Sequence, residues 1–70
     1  MWTKGKINGY AYAVKHYEET SIYGIEEGRI SKLEIRKDGR IVANYDREWD
    51  IEPKGADVKA VYNKLIKKYN

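Results

Sequence analysis

Apolar and polar residues alternate over residues 2–7 and again over residues 10–17, with Asn8-Gly9 between the two runs. A period of two marks a half-buried strand. Asn-Gly between such runs is the strongest short hairpin signal, because both turn residues take positive φ. A two-residue loop pairs Ile7 with Tyr10, Gly5 with Tyr12 and Thr3 with Val14. Ile7, Tyr10, Tyr12 and Val14 then form the core row, with His16 at its end. Gly5 opposite Tyr12 lets that ring lie across bare backbone. Trp2, Lys4, Lys6, Ala11, Ala13, Lys15 and Tyr17 face the other way.

Residues 18–28 break the alternation and read as a long loop with Gly24 and Gly28 as its flexible points. A second hairpin follows over residues 29–36 and 40–46. Its register depends on the turn. A two-residue Asp38-Gly39 loop sets Leu33 against Asn44. A three-residue Lys37-Asp38-Gly39 loop puts Leu33 and Ile35 on one face with Ile41, Ala43 and Tyr45. Register follows the pairing that buries the apolar set, so the three-residue loop is expected. The period then changes: Val58, Val61, Tyr62, Leu65 and Tyr69 form one helical stripe with Ile66 at its edge. Gly55 is a tolerable N-cap, Asp57 sits in the first turn, and Lys64, Lys67 and Lys68 sit near the end, as the helix dipole favours. The expected fold is α+β: a four-stranded antiparallel sheet of two hairpins, β-β-β-β-α, with the C-terminal helix on one face and water on the other. Seventy residues make one small domain, 1–70.

Composition narrows the chemistry. There is no cysteine, so no disulfide, thiolate nucleophile or Cys-based zinc site, and His16 alone is too little for a triad or a His-based metal site. No apolar run reaches the ~18 residues of a membrane span, and the N-terminal stretch has no secretory h-region. These features fit a cytoplasmic protein with no cofactor. Fourteen basic against eleven acidic residues leave a net charge of +3. That mild bias argues against an acidic DNA mimic and permits nucleic-acid or acidic-protein partners.

The stretch VANYDREWDIEP, residues 42–53, is the densest in chemistry. Asp46, Glu48 and Asp50 alternate, so an extended backbone puts three carboxylates on one face. Paired carboxylates can do acid–base work, but no nucleophile, metal or deep pocket is in evidence. As a calcium loop the stretch lacks the glycine needed at its sixth position, where Ile51 stands. The plainer reading is a strand end and crossover, with Tyr45, Trp49 and Ile51 pointing in under the helix. Arg47 then pairs with a neighbouring carboxylate, and Asp46 or Asp50 accepts backbone N–H groups.

The segments W..G.I near the start, YGI..GRISKL at residues 23–33, VANYDR.WD.EP and the closing KYN resemble a family of short uncharacterised proteins from Gram-positive bacteria and their phages and prophages. The resemblance covers nearly the whole chain. It implies one small α+β domain, an origin in mobile elements and no assigned activity. Two departures stand out: Glu48 occupies a position that is usually glycine in that pattern, and the helix start reads Gly55-Ala56 where Asp-Pro is frequent.

Two functional readings follow. The first is a non-catalytic interaction module, a phage or prophage accessory protein that binds a host or defence protein. Its edge would be Tyr23, Arg29, Asp46, Arg47 and Trp49, because Trp, Tyr and Arg dominate interface energetics. The second is a small nucleic-acid-binding protein that uses the open sheet face. Trp2, Lys4, Lys6, Lys15, Tyr17, Lys32, Arg36 and Arg40 are placed there, opposed by Glu34 and Asp46. Basic side chains track phosphates and aromatic rings stack bases, although the RNP1 pattern of an RRM is missing.

Overall fold

The computed structural model describes residues 2–70. Asn8 and Gly9 both take positive φ, 52° and 81°, and close the first hairpin between β1 (Trp2–Ile7) and β2 (Tyr10–His16). Its register is the expected one: Ile7 faces Tyr10, Gly5 faces Tyr12 and Thr3 faces Val14. The Tyr12 ring does lie on Gly5, its hydroxyl 2.7 Å from where a Cβ would stand.

The second hairpin, β3 (Ile30–Lys37) and β4 (Arg40–Asp46), differs from expectation. The loop has two residues, Asp38 and Gly39, both at positive φ, and Lys37 pairs with Arg40. Leu33 nevertheless meets Tyr45, and Ile35 meets Ala43, because the register shifts between Ile35 and Arg36. One extra residue, Val42, makes this bulge and lets the strand keep its tight turn and still bury its apolar set. Two residues change sides as a result. Ile41 pairs with Arg36 and is exposed rather than buried. Arg40 joins the row of Lys37, whose Nζ lies 4.8 Å from the centroid of the Tyr10 ring, and so leaves the open face.

The sheet has five strands, not four. A tight reversal at Asp46–Glu48 returns the chain as β5 (Trp49–Ile51), which pairs Tyr45 with Trp49 and Asn44 with Ile51. All strands are antiparallel, in the order β1-β2-β3-β4-β5. Helix α1 (Ala56–Tyr69) starts at Gly55, whose carbonyl accepts the Lys59 N–H, and buries Val58, Val61 and Leu65 on one face of the sheet. The core is this stripe with Val14, Ile25, Ile30, Leu33, Ile35, Ala43 and Tyr45. Among the described residues no helix is long and apolar enough to cross a membrane.

The long loop is tied down. Its short 3-10 turn, Ile25–Glu27, sends Ile25 into the core. Gly24 and Gly28 are not hinges: both have negative φ. A Cβ on Gly24 would collide with the Gly28 carbonyl, and one on Gly28 would collide with the Asn70 side chain. Asn70 closes this corner, its Oδ1 accepting the Ile30 N–H at 2.9 Å and its Nδ2 donating to the Ile25 carbonyl at 3.1 Å.

Candidate functional site

Cross-strand pairing arranges the uncovered face in three rows. Trp2, Lys15, Lys32 and Asp46 form one; Lys4, Ala13, Glu34 and Asn44 the next; Lys6, Ala11, Arg36 and Ile41 the third. Paired residues share a face, so five cations stand here against Glu34 and Asp46, and Asp50 of β5 joins them beside Asn44. All three carboxylates are engaged within the face: Glu34 with Arg36 at 3.0 Å, Asp46 with Lys32 at 3.7 Å and Asp50 with Asn44 Nδ2 at 3.3 Å. Lys4, Lys6 and Lys15 have no carboxylate partner among the described residues. Ala11 and Ala13 leave the middle of the face low, a trough of about 250 Å³ bordered by Lys4, Glu34 and Arg36. Trp2 is half exposed at the corner.

Beyond the first row the face ends in a groove of about 360 Å³. Lys15, Lys32 and Arg47 supply its charge, Tyr17 and Tyr23 its rings, and Ser21 and Ser31 its hydroxyls. Different elements bring these together: β2 and β3 the lysines, the loop after β2 the tyrosines, and the reversal before β5 the arginine. That reversal is held by Asp46 N–H to the Glu48 carbonyl, 3.0 Å, and by Arg47 N–H to the Ser31 carbonyl, 3.4 Å. Tyr23 is fixed through its backbone, its carbonyl accepting the buried Tyr45 hydroxyl at 2.9 Å.

The expected edge of Tyr23, Arg29, Asp46, Arg47 and Trp49 does not form one surface. Trp49 is half-buried, edge-on to Tyr45 at 5.0 Å and to Tyr62 at 5.4 Å, and so braces the helix. Ile51, expected beneath the helix, is exposed. Arg47 makes no ion pair among the described residues: Asp46 is taken by Lys32, and Asp50 accepts Asn44 Nδ2 at 3.3 Å. Arg29 reaches the Asn70 carbonyl at 3.4 Å and lines a separate groove with His16, Tyr17 and Tyr69. Tyr23 and Arg47 instead meet the lysines of the open face. Sequence reading placed these residues in two rival sites and missed Ser21 and Ser31. No local pattern in the sequence joins these residues, because the groove is assembled from two strands, a loop and a reversal.

His16 has its Nε2 2.9 Å from Thr3 Oγ1 and its ring 4.9 Å from that of Tyr69. No group of three or more potential metal ligands occurs among the described residues. Three phenols are shifted upward. Tyr12 is raised by its 3.2 Å hydrogen bond with Tyr69 and then by burial. Tyr45 is raised by burial and the Glu48 charge. Tyr62 is raised by burial and the charge of Glu26. All three lie at the seam of sheet and helix, away from the basic face.

The fold and its surfaces define a small α+β domain with one face of a meander covered by a helix and the other open and basic. The chain belongs to a family described as a domain of unknown function, DUF7678, which matches it over residues 1–70. That agrees with the expectation of an uncharacterised family. No curated protein and no solved structure matches the chain.

Proposed function

We propose that this domain is a non-catalytic binding module whose open sheet face takes single-stranded nucleic acid. The observation that carries the reading is the make-up of that face: five cations, three carboxylates already engaged by Arg36, Lys32 and Asn44, and a half-exposed tryptophan, on the side of the sheet opposite the helix. Cations attract phosphates irrespective of sequence by releasing counterions. Exposed rings give bases a stacking surface. The trough over Ala11 and Ala13 gives a strand room to lie. Absence of catalysis is supported by the dispersal of the carboxylates, Asp46 to Lys32 and Asp50 to Asn44. A cytoplasmic site of action goes with this ligand. The likeness to short phage and prophage proteins fits an accessory role.

The test is fluorescence anisotropy of a labelled mixed-sequence oligonucleotide across a salt series. Binding is expected to weaken with a log–log slope of about −0.7 per phosphate neutralised. Replacing Lys4 and Lys6 together by Gln is expected to reduce that slope by about 1.4. Salt-independent binding, or none at low salt, overturns the reading. A second reading, capture of a host or defence protein, is favoured by one observation: Ile22 and Tyr23 stand together at the loop tip, 72% and 61% exposed. Apolar capture of that kind would persist at high salt.

A further inference from the structure

The groove at the end of the open face differs from the rest of that face. The rows behind it offer single lysines on flat strand. Here three cations, two rings and two hydroxyls from four segments border one concavity of about 360 Å³, within the range that holds small ligands. Lys15 lies beside the Tyr17 ring at 5.8 Å, and Lys32 has a long 3.7 Å contact with Asp46. Arg47 has no ion-pair partner among the described residues, although its backbone is held at φ 67°. An arginine kept in a conformation that favours glycine, at the mouth of a groove, is the kind of local cost found at working sites. Ser21 Oγ accepts the Tyr23 N–H, which leaves its own proton free to donate, whereas Ser31 Oγ donates its proton to the Lys15 carbonyl at 3.3 Å. Tyr17 and Tyr23 are 48% and 61% exposed, while their backbones are pinned by Tyr17 N–H to the Arg29 carbonyl and by the Tyr45 hydroxyl. The backbone segments that carry these cations and rings are therefore tied together before any ligand arrives.

We infer that this groove is a nucleoside-phosphate subsite, in which Lys15, Lys32 and Arg47 take the phosphate and Tyr17 or Tyr23 stacks the base. The inference rests on the reading of the open face as a nucleic-acid surface and names its anchoring point. Bare phosphate would use the cations and ignore the rings; an apolar ligand would do the reverse. A nucleotide uses both. The same chemistry comes either from a free mononucleotide or from one residue of a strand.

The experiment is a titration of the ¹⁵N-labelled full chain at low salt with adenosine 5′-monophosphate, inorganic phosphate, adenosine and a short oligonucleotide. The monophosphate is expected to shift Tyr17, Tyr23, Ser31 and Arg47, with an affinity about tenfold or more above that of either half alone. Tyr17→Ala and Arg47→Gly, both at exposed positions, are each expected to weaken it about tenfold. Displacement of the monophosphate by the oligonucleotide identifies the source as a strand; failure to displace identifies a free nucleotide. Phosphate binding as well as the monophosphate, or shifts elsewhere, overturns the subsite. Oligonucleotide binding that depends on Lys4 and Lys6 but not on Tyr17 or Arg47 also overturns it and leaves the open-face reading standing. Monophosphate binding in the groove without oligonucleotide binding does the opposite.

Discussion

Arg47, like Glu26 and Glu27, carries local backbone tension. Its φ of 67° lies in the left-handed region, where a residue with a Cβ is about 1–2 kcal/mol worse off than in the right-handed one. Glycine has no such penalty but loses more freedom on folding, about 0.5–1 kcal/mol. The balance predicts that Arg47→Gly leaves the protein as stable as before or raises its unfolding free energy by up to about 1 kcal/mol, read from urea denaturation. Arg47→Ala keeps the strain and removes no ion pair, so it should stay within about 0.5 kcal/mol of the parent. A clear loss of stability in the glycine variant would make the guanidinium a structural prop and not a ligand group. The expected partnership of Arg47 with Asp46 failed for a geometric reason. Arg47 sits at the apex of the reversal that Asp46 and Glu48 close, and Asp46 ion-pairs along its strand row with Lys32.

The elements most legible in the sequence were those whose signal is redundant. Asn8-Gly9 and the alternation on both sides of it agree, and the first hairpin has the expected register. The helical stripe from Val58 to Tyr69 repeats enough to fix its buried face. The second hairpin set two rules against each other, turn chemistry and burial, and a bulge at Val42 satisfied both, which no counting of residues on a rigid ladder could reach. The fifth strand was hidden because Asp46, Arg47 and Glu48 turn the chain without glycine, proline or asparagine to announce it. The loop glycines misled in the other direction, since a glycine in a loop suggests freedom and these two mark close approach. That difference is measurable. Gly28→Ala should displace the Asn70 amide and forfeit its bonds to Ile25 and Ile30, a loss of about 2 kcal/mol. Asn70→Ala should cost about the same, and the double variant little more than either alone, because both remove one interaction. Gly24→Ala meets backbone carbonyls instead of a movable side chain and should be the more damaging change, with no rescue from position 70.

Taken whole, the molecule divides its charged and its buried chemistry between the two faces of one sheet. This division was readable from alternation alone; the convergence of loop, strand and reversal on one groove was not, because it depends on where Tyr23 and Arg47 fall in space. The covered face holds its aromatic residues as a seam: Tyr12 against Tyr69, and Tyr45, Trp49 and Tyr62 in an edge-on chain between strands and helix. Tyr12, Tyr45 and Tyr62 all hold their phenolic protons more tightly than the ordinary value of 10.0. The sign of the consequence is fixed by linkage. Below pH 10 both folded and unfolded chains keep these protons, and the contribution of the seam is complete. As the pH rises past 10 the unfolded chain releases its protons first, so the unfolded state gains and stability falls through the folded pKa values. Urea midpoints should therefore be level up to about pH 9.5 and decline above it. Tyr62→Phe is the sharpest check: among the described residues Tyr62 has no side-chain hydrogen bond to lose, so the variant should match the parent at neutral pH and show a shallower decline above pH 10. An unchanged alkaline slope in that variant would mean that Tyr62 titrates as it does in the unfolded chain, and that the helix does not seal the seam it covers.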